Sequence, residues 1–243
     1  MTQHDERGVT VSVPLPGSRP PLQAYFVAPD RPGPDPGVVM IHELFGLNEN
    51  IRNIARRFAG AGYAALAVDL FSTAARVVCL LRIIHGLLVR PLVNGVVDEM
   101  RAAIDFLSTQ PGVDPTRLGV IGFCMGGSYA LQLACVDGDL GAAAVFYGQN
   151  PRPLNAVARA CSIVGSYPER DFTARAARQL QAALRAYGVP HDIRIYPDAR
   201  HSFFNDRGRA YHPQAAADAW IRTLAFFDVH LKRAQVPHGG AEA

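Results

Sequence analysis

The sequence predicts an α/β fold: a mainly parallel, twisted sheet of about eight strands with helices on both faces. Two observations predict it. Short apolar, β-branched runs alternate with longer segments of helical periodicity along the chain, the pattern of parallel strands joined by helical crossovers. The run Leu118–Phe123 also ends in Gly122-Phe-Cys-Met-Gly126-Gly127 and passes into an apolar segment, Tyr129–Val136, which reads as strand, tight turn and helix. With 243 residues, 49% of them hydrophobic and 19% charged, the chain is expected to form a single domain over 1–243 with a large core. Flexible tails are expected at 1–8 and 235–243.

Taken in order, Val9–Val13 and Leu22–Val27 alternate as an antiparallel edge pair, with a turn at Pro14–Pro21. Pro29–Gly37 is a proline-rich loop before a buried strand, Val38–Ile41. Ile51, Ile54, Ala55 and Phe58 recur at helical spacing within Asn50–Ala61, and Tyr63–Leu70 is a second buried strand. Arg76–Val89 reads as an apolar helix inside a segment, 72–93, placed to line or cap a site. Gly95–Leu107 is amphipathic, with Val96, Met100, Ala103, Ile104 and Leu107 on one face. Beyond the 118–136 unit come strands at Ala142–Tyr147 and Cys161–Gly165, a helix over about 172–187 and a strand at Asp192–Tyr196. A last helix carries Trp220, Ile221, Leu224, Phe227 and Leu231.

A net charge of +3 with no basic run longer than two residues argues against a nucleic-acid partner. Four unevenly spaced cysteines without a C-x-x-C speak against a disulfide framework or a zinc site, and no cofactor or metal is expected. Met1–Gly8 is too polar for a signal peptide, so a cytoplasmic protein is expected. Leu118–Val136 carries Gly122, Gly126 and Gly127, and Val77–Val89 is broken by Arg82 and closed by Arg90-Pro91. Neither is expected to span a bilayer. Placement of the second on a membrane surface is the lesser alternative to a soluble fold. Oligomeric state is left open.

Cys124 stands in G-x-C-x-G, the thiol form of the nucleophile elbow, where a strained turn leaves no room for side chains two positions either side. The following helix aims its N-terminus at the sulfur and is expected to favour thiolate. The Met125 N–H is placed to hold an oxyanion. Cys79, Cys135 and Cys161 sit in apolar runs and read as small core residues. Gly122-x-x-x-Gly126-Gly127 fits neither phosphate-binding glycine pattern.

Active sites of parallel sheets lie at the carboxyl ends of the strands. A thiolate mechanism needs a base and a group to orient it. His201 follows the last expected strand and is the best base; His4 and His238 lie in the tails, His191 precedes a strand, His212 and His230 belong to the last helix, and His85 reads as packed or capping. Asp171 is favoured over Glu169 as the orienting acid, with capping of the next helix as its competing role. The order nucleophile, acid, histidine is that of the α/β-hydrolases. Glu43 ends the first core strand, where it would meet the thiol or else be a partly exposed loop residue. Leu44 would supply a second oxyanion N–H. His42-Glu43 lacks the second histidine of a zinc signature.

G-F-C-M-G-G, H-E-L-F-G-L-N, the G-S-Y ahead of Asp171 and A-R-H-S-F together resemble the dienelactone hydrolase family, from about Val38 to the last helix. The resemblance implies an α/β-hydrolase fold, a Cys124–His201–Asp171 triad and an oxyanion hole from Leu44 and Met125. It also implies that Glu43 interacts with the resting thiol until substrate binding releases it. The arginine that grips the substrate carboxylate in dienelactone-cleaving members, four residues after the histidine, is Asn205 here. Arg82, Phe203 and Asn205 are the candidates for substrate contact, with an arginine snorkelling to water as the alternative for Arg82. The expected activity is cysteine-dependent cleavage of a small-molecule ester or lactone through a thioester. Acyl transfer on the same site and a non-catalytic ligand-binding protein are the alternatives.

Overall fold

The computed structural model describes residues 8–232, so the expected tails, apart from Gly8, and His4 and His238 lie outside the described residues. Eight strands form one sheet in the order β1-β2-β4-β3-β5-β6-β7-β8. The edge pair β1 (Val9–Val13) and β2 (Leu22–Val27) is antiparallel, and β2 is antiparallel to β4 (Ala64–Asp69). From β4 onward neighbours are parallel: β3 (Asp35–Ile41), β5 (Val113–Phe123), β6 (Leu140–Phe146), β7 (Ser162–Arg170) and β8 (His191–Arg200). The helices are α1 (Glu49–Gly60), α2 (Arg76–Leu88), α3 (Gly95–Ser108), α4 (Met125–Val136), α5 (Thr173–Ala186) and α6 (Pro213–Phe227).

Both faces of the sheet are covered, as the alternating elements predict. Leu66, Val68, Val120 and Val145 point into a core shared with α3, α4 and α5, while Val38, Met40, Ile121 and Ala144 point into one shared with α1 and α6. The central strands are buried on both sides, which is why they read as continuous apolar runs. Asn48 caps α1 by accepting from the Ile51 N–H at 3.2 Å, and Asn94 caps α3 through the N–H groups of Val96 and Val97 at 3.0 and 3.2 Å.

Of the boundaries that differ from the expected ones, three bear on the site. The helix after Cys124 begins at Met125 rather than Tyr129, because two glycines in its first turn let its backbone pack against β3 and β6. β7 runs to Arg170 instead of stopping at Gly165, and β8 to Arg200 instead of Tyr196. A register shift between Pro168 and Arg170 accommodates the proline, and pairing resumes at Arg170 opposite Arg200. The long final pair delivers Asp171 and His201 from the ends of adjacent strands.

Candidate active site

Cys124 occupies the turn between β5 and α4 with φ 56° and ψ −116°, a region a non-glycine side chain enters only when its surroundings impose it. Its N–H donates to the Phe146 carbonyl at 3.0 Å, and its carbonyl accepts from the Ser128 N–H at 3.1 Å. The flanking glycines are sterically required. A Cβ on Gly122 would lie 2.0 Å from the Gly126 carbonyl oxygen, and one on Gly126 would lie 2.3 Å from that of Ile41. Both obstacles are backbone, one in the first turn of α4 and the other in the central strand β3, so neither can move aside. Gly126→Ala is therefore expected to cost on the order of 3 kcal/mol of stability, read as a lower urea midpoint; an unchanged midpoint would show that the elbow can relax.

Asp171 directly follows β7 and His201 directly follows β8. His201 Nδ1 lies 2.8 Å from Asp171 Oδ2, and the Asp171 side chain is 4% exposed. The carboxylate makes this bond instead of capping α5: the cap residue is Phe172, without a side-chain cap bond, and the hydroxyl of Thr173 also donates to Asp171 Oδ2. Glu169, the less favoured acid, is exposed and paired with Arg178 at 2.8 Å. The His201 ring lies against Phe172, stacked at 5.2 Å between centroids, and near Tyr147 at 5.0 Å. Of the other histidines, His85 is exposed rather than packed, and His212 caps α6 by accepting from the Ala215 N–H at 3.3 Å.

Glu43 is 5% exposed, so it is not a solvated loop residue. Oε1 accepts from Ser202 Oγ at 2.8 Å, Oε2 accepts from Asn205 Nδ2 at 3.3 Å, and the Tyr147 hydroxyl also bonds this carboxylate. Its backbone is anchored by the wholly buried His42. His42 Nε2 accepts from the Leu70 N–H at 3.0 Å, which leaves Nδ1 to donate to the Glu43 carbonyl at 2.5 Å. Leu44 and Phe45 then turn outward, 46% and 62% exposed, and the Leu44 carbonyl accepts from Arg76 at 2.8 Å.

The electrostatics of the thiol run against the expectation from the helix terminus. Burial, followed by the negative charge of Glu43, pushes Cys124 up to about 11; Asp171 adds to the rise, and the Met125 N–H bonded to the thiol opposes it. One helix N-terminus is outweighed by desolvation and two nearby carboxylates, so the resting group at neutral pH is the thiol. Glu43→Gln removes one of those charges and is expected to bring the Cys124 pKa down from about 11, by on the order of one unit. The rate of iodoacetamide alkylation against pH measures this; a titration unmoved by the substitution would show that Glu43 does not act on the thiol. Tyr147 is likewise held well above the usual phenol range, by burial and then by Glu43.

The three expected substrate contacts are placed differently. Arg82 neither grips a ligand at the thiol nor snorkels to water: its guanidinium turns inward to Glu99 Oε1 at 2.5 Å, Thr73 Oγ1 at 3.2 Å and the Leu70 carbonyl at 3.3 Å. A buried carboxylate draws it in, and burial raises the pKa of Glu99 despite that partner. Phe203 has no exposure and packs against Phe146, Tyr147 and Tyr196; it supports the site from the core. Asn205 is turned onto Glu43. Sequence reasoning missed Tyr147, Ser202 and Thr173. The usable signal was position, since Tyr147 follows β6 at its carboxyl end, at φ 42°. Among the described residues, no group of three or more His, Cys, Asp or Glu side chains is arranged to hold a metal ion, and no helix is long and apolar enough to cross a membrane.

Comparison with known proteins shows which family the chain resembles. The profile described as "Dienelactone hydrolase family" matches residues 22–231. A relative from Saccharolobus solfataricus named "Putative carboxymethylenebutenolidase" is 32% identical over 247 residues, covering 84% of this chain and 93% of its own. The crystal structure of a dienelactone hydrolase, so titled with the qualifier "Putative", from Klebsiella pneumoniae superposes with a TM-score of 0.80 at 27% identity, covering 90% of this chain and 97% of that one. A dienelactone hydrolase-like promiscuous phosphotriesterase from metagenomic libraries gives 0.80 at 26% identity, covering 92% and 98%.

Proposed function

This chain belongs to the dienelactone hydrolase family and is a hydrolase of the ester or lactone type, and from that premise we propose that it cleaves its substrate through Cys124, His201 and Asp171 by way of a thioester. The observation that carries the reading is the 2.8 Å bond between His201 Nδ1 and Asp171 Oδ2, made where the charge of Asp171 reaches the thiol of Cys124, itself held at positive φ on a glycine-framed turn. Asp171 accepts a hydrogen bond from Nδ1–H, so Nε2 is left as the basic nitrogen.

In the proposed reaction the resting thiol gives its proton to His201 as sulfur attacks the carbonyl carbon. The oxyanion is held by the N–H groups of Met125 and Leu44. His201 returns the proton to the leaving alkoxide. It then deprotonates a water that attacks the thioester, and the acid is released with the thiol restored. Because burial keeps Cys124 protonated at rest, thiolate forms only with a substrate in place. Among the described residues, the hydrogen-bond donors to Glu43, namely Ser202, Asn205 and Tyr147, are all neutral. An uncharged ester or lactone is accordingly the substrate class this site favours.

Mass spectrometry of the intact protein after mixing with p-nitrophenyl acetate tests the reading. A transient gain of one acetyl group on Cys124, together with p-nitrophenol release, is expected. Release without any adduct trapped at early times, or no release across a panel of esters and lactones, would overturn it.

A further inference from the structure

Helix α2 inverts the usual pattern of a surface helix. Its inner side is apolar, with Cys79, Ile83 and Gly86 buried. Its outer side is apolar as well: Val77, Val78, Leu81, Ile84, Leu88 and, just past its end, Val89 are 42% to 68% exposed. These positions repeat at helical spacing and make one stripe opposite the buried face. A helix that is hydrophobic all round is ordinarily covered. The stripe continues toward the candidate site, because Arg76 at the start of α2 is bonded to the Leu44 carbonyl, and Leu44 and Phe45 are themselves exposed.

Charge says what covers it. From Leu70 to Val97 the chain has three arginines and no carboxylate. Arg82 is drawn inward to Glu99, while Arg76 and Arg90 stand exposed at the two ends of the stripe. A second copy would bring this face against its own image, arginine toward arginine with no acid on the stripe itself to pair; a neighbouring carboxylate, Asp69, already acts on Arg76 of its own chain. The segments outside the described residues, 1–7 and 233–243, contain only Met1 and Val236 as large apolar residues and cannot match the stripe. An apolar face edged by cations fits the surface of a membrane carrying anionic lipids, where the stripe would sink about 5–10 Å into the headgroup boundary.

We propose that α2, with Leu44 and Phe45 beside it, docks this protein onto an anionic lipid surface. Docking there presents the rim of the site to the lipid side. The test is co-sedimentation of the Cys124→Ala protein with vesicles of phosphatidylcholine alone and of phosphatidylcholine mixed with phosphatidylglycerol. Binding at least tenfold stronger to the anionic vesicles is expected, reduced by salt. A further drop of at least tenfold is expected in Leu81→Glu/Leu88→Glu, with an unchanged melting temperature since both side chains are exposed. Because binding is read without turnover, its failure would not touch the hydrolase reading, nor the reverse. Absence of binding to anionic vesicles would overturn the proposal. So would a dimer that the Leu81→Glu/Leu88→Glu variant dissociates in the absence of vesicle binding, which would assign the face to a second copy.

Discussion

Replacing Cys124 with alanine is expected to lower kcat/KM for a p-nitrophenyl ester by about 10⁴-fold or more, with folding intact. The size follows from what the residue does in the proposed reaction. Without sulfur there is no covalent intermediate, and His201 can at best direct a water at the carbonyl, with the oxyanion donors still in place. Folding should survive because the side chain is small and the strained turn is held by backbone bonds, from Cys124 N–H to Phe146 and from Ser128 N–H to Cys124. Single-turnover kinetics with intact-mass detection make the check: the variant should form no acyl adduct and lose the burst of p-nitrophenol. A variant retaining a tenth or more of the activity would remove Cys124 from the mechanism.

Asp171→Asn should cost about 10⁴-fold in kcat, more than the loss of a hydrogen bond alone would explain. In the native site Oδ2 accepts from both His201 Nδ1 and the Thr173 hydroxyl. An asparagine can turn its NH₂ toward the imidazole, which makes Nδ1 the acceptor and puts the proton on Nε2. The nitrogen that must take the thiol proton then already carries one. Thr173→Ala leaves the carboxylate and its bond to His201 in place and should cost only about tenfold, since it removes one neutral donor. The two kcat values together with the pH profile of kcat/KM distinguish the roles. Equal losses in both variants would mean that Asp171 merely helps position the loop rather than setting the tautomer.

The elements of the sheet and the G-x-C-x-G turn were legible because each is a local matter. Period-two and period-3.6 patterns arise from the backbone geometry of single segments, and glycine at Gly122 is demanded by the backbone of Gly126, four residues on in the same turn. The pairing of Asp171 with His201 could be expected from chain order and strand ends. The lengths of β7 and β8 could not, since Pro168 reads as a stop and only pairing with the neighbouring strand carries β7 past it.

Roles set by partners distant in the chain were not legible. Arg82 is placed by Glu99, seventeen residues away on another helix, and Asn205 by Glu43, 162 residues away. The protonation of Cys124 is a second case. Its sequence neighbours, a helix N-terminus and glycines, favour thiolate, yet the surroundings assembled by the fold push it up to about 11. The apolar run of α2 had the same character: its sequence showed a hydrophobic helix, and only packing on one side disclosed that the opposite side stays bare. The sequence by itself determined the fold class and the glycine-framed turn, and it singled out Cys124, Asp171 and His201 as the candidates proposed for nucleophile, acid and base, because periodicity, turn sterics and chain order are read along the chain. The tertiary structure decided the charge state of the thiol, the ligands of Glu43 and the direction of each arginine. Desolvation and Coulomb interactions act through space, and no spacing along the chain encodes them.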